Sequence, residues 1–176
     1  MSARYVALLR GINVGPSKRI AMADLREIMS ALGFQGVRTL LQSGNLILDS
    51  AIAPDAAKLE AAVAAGTGVH ASMLVIPAAR FERIVADFPF LDVATDESRA
   101  IITFVEKMPA SSAVTRLTDE ELAPERLVLG KDAVYQWLPD GVLATRLPPR
   151  FVKQFGENAT ARNLRTAKKI VAMLGD

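Results

Sequence analysis

The sequence has no cysteine and a single histidine among its 176 residues. Without cysteine there is no disulfide framework, thiolate nucleophile or cysteine-ligated zinc site. With one histidine, a Ser–His–Asp triad or an imidazole-based metal site would have to use His70. Aromatic residues are also scarce, at seven Phe, two Tyr and one Trp, which is few for a surface that stacks bases. No apolar run approaches the ~20 residues that cross a bilayer. Arg10 ends the first apolar run too early for a secretory leader. A soluble cytoplasmic protein with no membrane role is expected.

Half of the residues are apolar and 23% are charged, which excludes disordered, collagen-like and coiled-coil chains. The length suits one sizeable domain or two small ones packed together. The net charge of +2 is unevenly spread: +2 over residues 1–78, −5 over 79–145 and +5 over 146–176. The basic tail carries Arg146, Arg150, Lys153, Arg162, Arg165, Lys168 and Lys169 against Glu157 and Asp176. It reads either as attraction to an anionic partner or as a solvated helix face.

Tyr5–Leu9 has the pattern of a strand. Met22, Leu25, Ile28, Met29 and Leu32 fall at helical spacing, with Gly33 as the stop. Val37–Leu41 and Leu46–Leu48 read as a hairpin about Ser43-Gly44. Pro54–Ala65 reads as an alanine-rich helix ended by Gly66, and Val69–Ile76 as a strand stopped by Pro77. The order βαββαβ is the split βαβ plan of ferredoxin-like domains.

The second half echoes the first. It offers a helix at Ala78–Ala86, a strand at Ala100–Val105, a short helix at Ser111–Leu117, and a hairpin of Leu127–Leu129 with Val134–Leu138. Two closing helices are expected, one from Pro148-Pro149 to Gly156 and one from about Ala161 to Leu174. The halves divide at 1–78 and 79–176, with no linker long enough to separate independent domains.

Two polar, glycine-marked segments follow strand patterns: Arg10-Gly11-Ile12-Asn13-Val14-Gly15 and Gln42-Ser43-Gly44-Asn45. In a βαββαβ unit the first two strands are parallel, so both segments belong at one edge of the sheet. Turn chemistry accounts for the Gly, Asn and Ser, but not for Arg10 and Gln42 beside them. The first segment fits neither the dinucleotide fingerprint nor the phosphate loop. Lys18 and Arg19 nevertheless precede a helix, where backbone amides and a cation can meet an anion. Thr118 with Glu121 reads as a capping box. Asp24 and Glu27 suit the first turns of a helix, and Asp92, Asp96 and Glu97 a surface loop. No cofactor and no metal is implied. Tyr5, Phe104, Tyr135 and Trp137 lie on strands without forming an RNA-recognition signature, and Tyr135 with Trp137 reads as a packing pair.

The run Ala7-Leu8-Leu9-Arg10-Gly11-Ile12-Asn13-Val14-Gly15, with Met22, Leu25, Gly33-Phe34, Val37-Arg38-Thr39 and Gln42-Ser43-Gly44-Asn45, resembles the uncharacterised bacterial family known as domain of unknown function 1697. Thr160-Ala161-Arg162-Asn163 with Arg165-Thr166 is similar to that family's closing motif. The resemblance implies an α+β fold of two ferredoxin-like (split βαβ) halves packed together, with antiparallel or mixed sheets. It implies no activity. Thr160 is expected to N-cap the last helix, with Arg162, Asn163 and Arg165 near its amides. The resulting expectation is a small anionic or nucleotide-like ligand held by Arg10, Asn13, Lys18, Gln42, Ser43, Asn45, Arg162 and Asn163. A nucleic-acid (RNA) binding module, an enzyme using the same cluster and a structural or oligomerising protein are the alternatives.

Overall fold

The computed structural model describes residues 2–16 and 18–175. Ser17, between the first polar segment and Lys18, and Asp176, counted against the basic tail, lie outside the described residues. The chain forms two compact units, Met1–Phe81 with Ala172–Asp176, and Glu82–Val171. Each is built on a four-stranded antiparallel sheet with helices.

The first unit runs β1 (Ala3–Leu9), α1 (Met22–Ala31), β2 (Gln35–Leu40), β3 (Asn45–Ser50), α2 (Ala56–Thr67) and β4 (Met73–Pro77), and enters α3 (Ala78–Ala86). The sheet order is β2-β3-β1-β4, the split βαβ plan read from the sequence. Strand alternation sends Ala7, Leu9, Leu46, Leu48 and Met73 to one face. There they pack with Met22, Leu25 and Met29 of α1 and Leu59 and Val63 of α2. Each such side chain withdrawn from water contributes about 1.5–3 kcal/mol. Asp55 caps α2 by accepting from the Ala57 and Lys58 amides, and Gly68 at φ 72 closes it. The helix therefore runs through Gly66 instead of stopping there. Arg4 pairs with Asp49 at 2.9 Å and donates to the Leu174 carbonyl at 2.6 Å, placing a cation on the C-terminal carbonyls of the last helix.

The second unit contains the rest of α3, then β5 (Ala100–Phe104), α4 (Asp119–Leu122), β6 (Arg126–Leu129), β7 (Ala133–Trp137), β8 (Thr160–Asn163) and most of α5 (Leu164–Leu174). Its order, β6-β7-β5-β8, again places the unit's strands second, third, first, fourth. The two halves thus share one strand arrangement without a visible sequence repeat. Between β7 and β8 the first unit's helix is replaced by 3-10 turns at Val142–Ala144 and Val152–Phe155. Leu147, Phe151 and Phe155 there pack on Leu127 and Val134.

Three expected elements differ. The helix expected from Pro148 to Gly156 is a turn followed by the four-residue 3-10 segment; two prolines at one end and Gly156 at φ 103 at the other leave too few residues to propagate an α-helix. The helix expected over Ser111–Leu117 is 3-10 over Ser111–Ala113 only. Thr160–Asn163 is a strand paired with β5, so Thr160 is not the N-cap of the last helix. Asn163 takes that place, its Oδ1 accepting from the Thr166 amide at 2.8 Å. Among the described residues no helix is long and apolar enough to cross a membrane.

Candidate functional site

Leu8 of β1 and Leu40 of β2 both register with Asn45 at the start of β3. The loop after β1 and the turn after β2 therefore meet at one edge of the first sheet, as strand polarity requires. Backbone and side chain then join them. The Leu9 amide donates to the Gly44 carbonyl at 2.9 Å. Asn13 Nδ2 donates to the Gln42 carbonyl at 2.6 Å and to the Ile20 carbonyl at 3.1 Å, while its Oδ1 accepts from the Ile20 amide at 2.9 Å. The Asn13 amide donates to the Lys18 carbonyl at 2.6 Å. One carboxamide thus closes its own loop and ties it to the neighbouring turn.

The turn has its own asparagine. Asn45 is buried, and its Nδ2 donates to the Leu40 carbonyl at 2.8 Å and to Ser43 Oγ at 3.0 Å. Gly44, at φ 77, lies so close to the first loop that a Cβ there would stand 2.7 Å from Ile12 Cδ1 and 2.8 Å from Leu9 Cβ. The two non-glycine residues with positive φ among the described residues are Asn13 (55°), in the loop after β1, and Leu41 (58°), which opens the turn after β2. Asparagine tolerates that conformation, whereas a branched apolar residue does so at a cost.

A cavity of about 550 Å³ opens beside this junction, lined by Asn13, Gly15, Pro16 and Arg19–Ala21 on one side and Gln42 on the other. None of these lining residues is acidic. Ala21 is also the N-cap of α1, and no side chain caps that helix, so its first-turn amides face this end without a side-chain acceptor. The side chains of Lys18, Arg19 and Gln42 are exposed and make no hydrogen bond or ion pair among the described residues. Arg10 is half-buried, with its amide on the Ser72 carbonyl. A larger cavity of about 610 Å³ lies at the opposite edge, near Gln35 and Ser50. Its acids are committed, Asp49 to Arg4 and Asp55 to the α2 cap, and its lining is mainly apolar.

The expected C-terminal residues belong to the second unit. Arg162 donates to Thr160 Oγ1 at 3.0 Å and to the Ala161 carbonyl at 2.8 Å. Burial pushes its guanidinium down to about 10, which still leaves it charged at neutral pH. Asn163 serves the α5 cap, and Arg165 pairs with Asp96 at 3.1 Å. Asp96 is held below the usual carboxylate range first by the Ser98 hydroxyl and amide, then by Arg165 and Arg99. The first set of expected residues thus shares one edge of the first unit, and the second set shares β8 and its junction with α5. Arg19 was outside the expected set; the signal for it was a cation two residues ahead of an uncapped helix start.

Other sequence candidates resolve into structure. His70 lies in the irregular stretch before β4, not in a strand. It lines a cavity with Glu60 and Ser72 but bonds neither, and Glu60 accepts from the Met73 amide at 2.7 Å. Thr118 and Glu121 form the capping box. No group of three or more His, Asp or Glu side chains able to hold a metal occurs among the described residues.

Phe104, Tyr135 and Trp137 are buried, so they offer no stacking surface. Tyr135 packs edge-on against Phe88 and donates to the Ile84 carbonyl at 2.9 Å, rather than pairing with Trp137. Burial, with Asp87 and Asp132 adding to it, pushes its phenol up to about 12. The unfolded chain ionises this group near 10. The folded state keeps its proton longer, so stability is unaffected below about pH 9 and falls as pH rises from 10 towards 12. Denaturant titrations across that range should show a loss of up to about 2 kcal/mol, absent in Tyr135→Phe.

The sequence profile of the family described as "Protein of unknown function (DUF1697)" matches residues 2–135. Among solved structures the chain is similar to the conserved bacterial protein SP0830 from Streptococcus pneumoniae, at 26% identity and a TM-score of 0.70 over 99% of both chains. No curated protein matches.

Proposed function

Given that the chain belongs to the DUF1697 family, we propose that it binds a small anionic or nucleotide-like ligand in the cavity between the loop after β1 and the turn after β2. The observation that carries this reading is the cavity's composition: the uncapped start of α1, Arg19 and Gln42 around one concave, acid-free space. Helix amides and an arginine together favour an oxyanion, the amides by direction and dipole, the guanidinium by charge. Asn13, Ser43 and Asn45 serve this site as scaffold, because Asn13 holds the two loops to each other and Asn45 with Ser43 braces the turn from within. Lys18 raises the local potential from its exposed position. The positive-φ pair Asn13 and Leu41 fits the same picture, since strained backbone concentrates where a fold holds a site in place.

A thermal-shift screen against nucleotides, sugar phosphates and short RNAs tests the reading. A ligand at 100 times its dissociation constant adds about 2.7 kcal/mol, roughly 5–10 °C at this chain length. Arg19→Ala should weaken binding about tenfold and cut that shift by about half. A shift unchanged in Arg19→Ala would place the ligand elsewhere. A response to RNA only, steeply dependent on salt, would favour the nucleic-acid alternative.

A further inference from the structure

We infer that the second unit holds a separate site for an organic oxyanion, a phosphate or carboxylate carried on an apolar body, between Arg116 and Arg150. A cavity of about 360 Å³ lies there, lined by Thr115–Leu117 on one wall and by Pro148, Arg150, Phe151 and Gln154 on the other. This volume is that of a small-molecule pocket. Each wall contributes one arginine. Both arginines are exposed, and neither side chain makes an ion pair or hydrogen bond among the described residues. No lining residue is acidic, so two positive charges share one concavity without compensation, an arrangement that an oxyanion relieves.

The walls are fixed to each other. Gln154 Oε1 accepts from the Thr115 amide at 2.8 Å, and its Nε2 donates to the Thr115 carbonyl at 2.9 Å and to the Phe151 carbonyl at 3.3 Å. The amide clamp joins segments 39 residues apart, setting the two guanidinium-bearing walls in register before any ligand arrives. The cavity's apolar lining is Leu117, Pro148 and Phe151; Phe151 is itself buried and edge-packed on Phe155 at 5.3 Å. That lining selects against a bare inorganic ion, which would leave it wet, and for an anion with an aromatic or aliphatic body. The inference is independent of the first unit's loop site, since it uses none of its residues.

Calorimetric titration with phenyl phosphate tests it on four chains: wild type, Arg19→Ala, Arg116→Ala/Arg150→Ala and Gln154→Ala. Binding should survive Arg19→Ala, fall at least tenfold in the double arginine variant, and weaken several-fold in Gln154→Ala. Both arginines are exposed, so the double variant should melt within about 2 °C of wild type. Inorganic phosphate and neutral phenol should each bind at least tenfold more weakly than phenyl phosphate. Benzoate in place of phenyl phosphate distinguishes the two headgroups, and the inference expects one of them to bind. Equal affinity in the double variant, loss of all binding with Arg19→Ala, inorganic phosphate or phenol binding as tightly as phenyl phosphate, or no heat with either headgroup would overturn it.

Discussion

Gly44→Ala should destabilise the chain by about 2–5 kcal/mol. Two costs add. Holding a Cβ-bearing residue at φ 77 costs about 1–2 kcal/mol. The new methyl would also meet Ile12 Cδ1 at 2.7 Å and Leu9 Cβ at 2.8 Å, and overpacking of that kind costs about 1–3 kcal/mol. Ile12 can swing its terminal carbon aside, but Leu9 Cβ is fixed to a strand whose side chain is 1% exposed. The turn must therefore retreat, breaking the bond between the Leu9 amide and the Gly44 carbonyl. Urea unfolding checks the figure. A change below about 0.5 kcal/mol, the level of an ordinary surface substitution, would show that the two segments are not in contact in solution.

Asn13→Ala carries a cost of similar size by a different route. It deletes three side-chain hydrogen bonds, to the Gln42 carbonyl, the Ile20 carbonyl and the Ile20 amide, each contributing about 1 kcal/mol or less where water competes. It also places alanine at φ 55, at about 1 kcal/mol against asparagine. A loss of about 3 kcal/mol is expected, measured by urea unfolding. Asn13→Gly removes the conformational part and should lose about 1 kcal/mol less. Equal losses for the two variants would mean that φ plays no part. No loss in either would mean that the clamp does not form.

The parts legible in the sequence were those fixed by short-range rules. The apolar spacing of Met22, Leu25 and Met29 gave α1, and alternation gave β1 and the β6–β7 hairpin about Gly130. The polarity of a βαββ order was enough to bring the two glycine-marked segments to one edge. What the sequence hid depends on distant partners. Thr160–Asn163 reads locally as the opening of a helix, but the residues extend because β5 offers an unpaired edge at Ile101–Phe104. Once they are extended, the capping role passes from Thr160 to Asn163. The clamp made by Asn13 was hidden for the same reason: the Gln42 carbonyl that it engages lies 29 residues away. Arg19 was readable only as a cation near a helix start, and its place on the cavity wall follows from the fold of the loop after β1.

An oxyanion seated on the start of α1 should be visible by amide nuclear magnetic resonance during titration with a nucleoside monophosphate. Saturable shifts of the Ala21–Asp24 amides and of Arg19 Nε are expected, weakening as salt is raised and reduced about tenfold in affinity by Arg19→Ala. Amides of the first turn of α1 that stay in place at millimolar ligand, while the rest of the spectrum reports a folded chain, would contradict it.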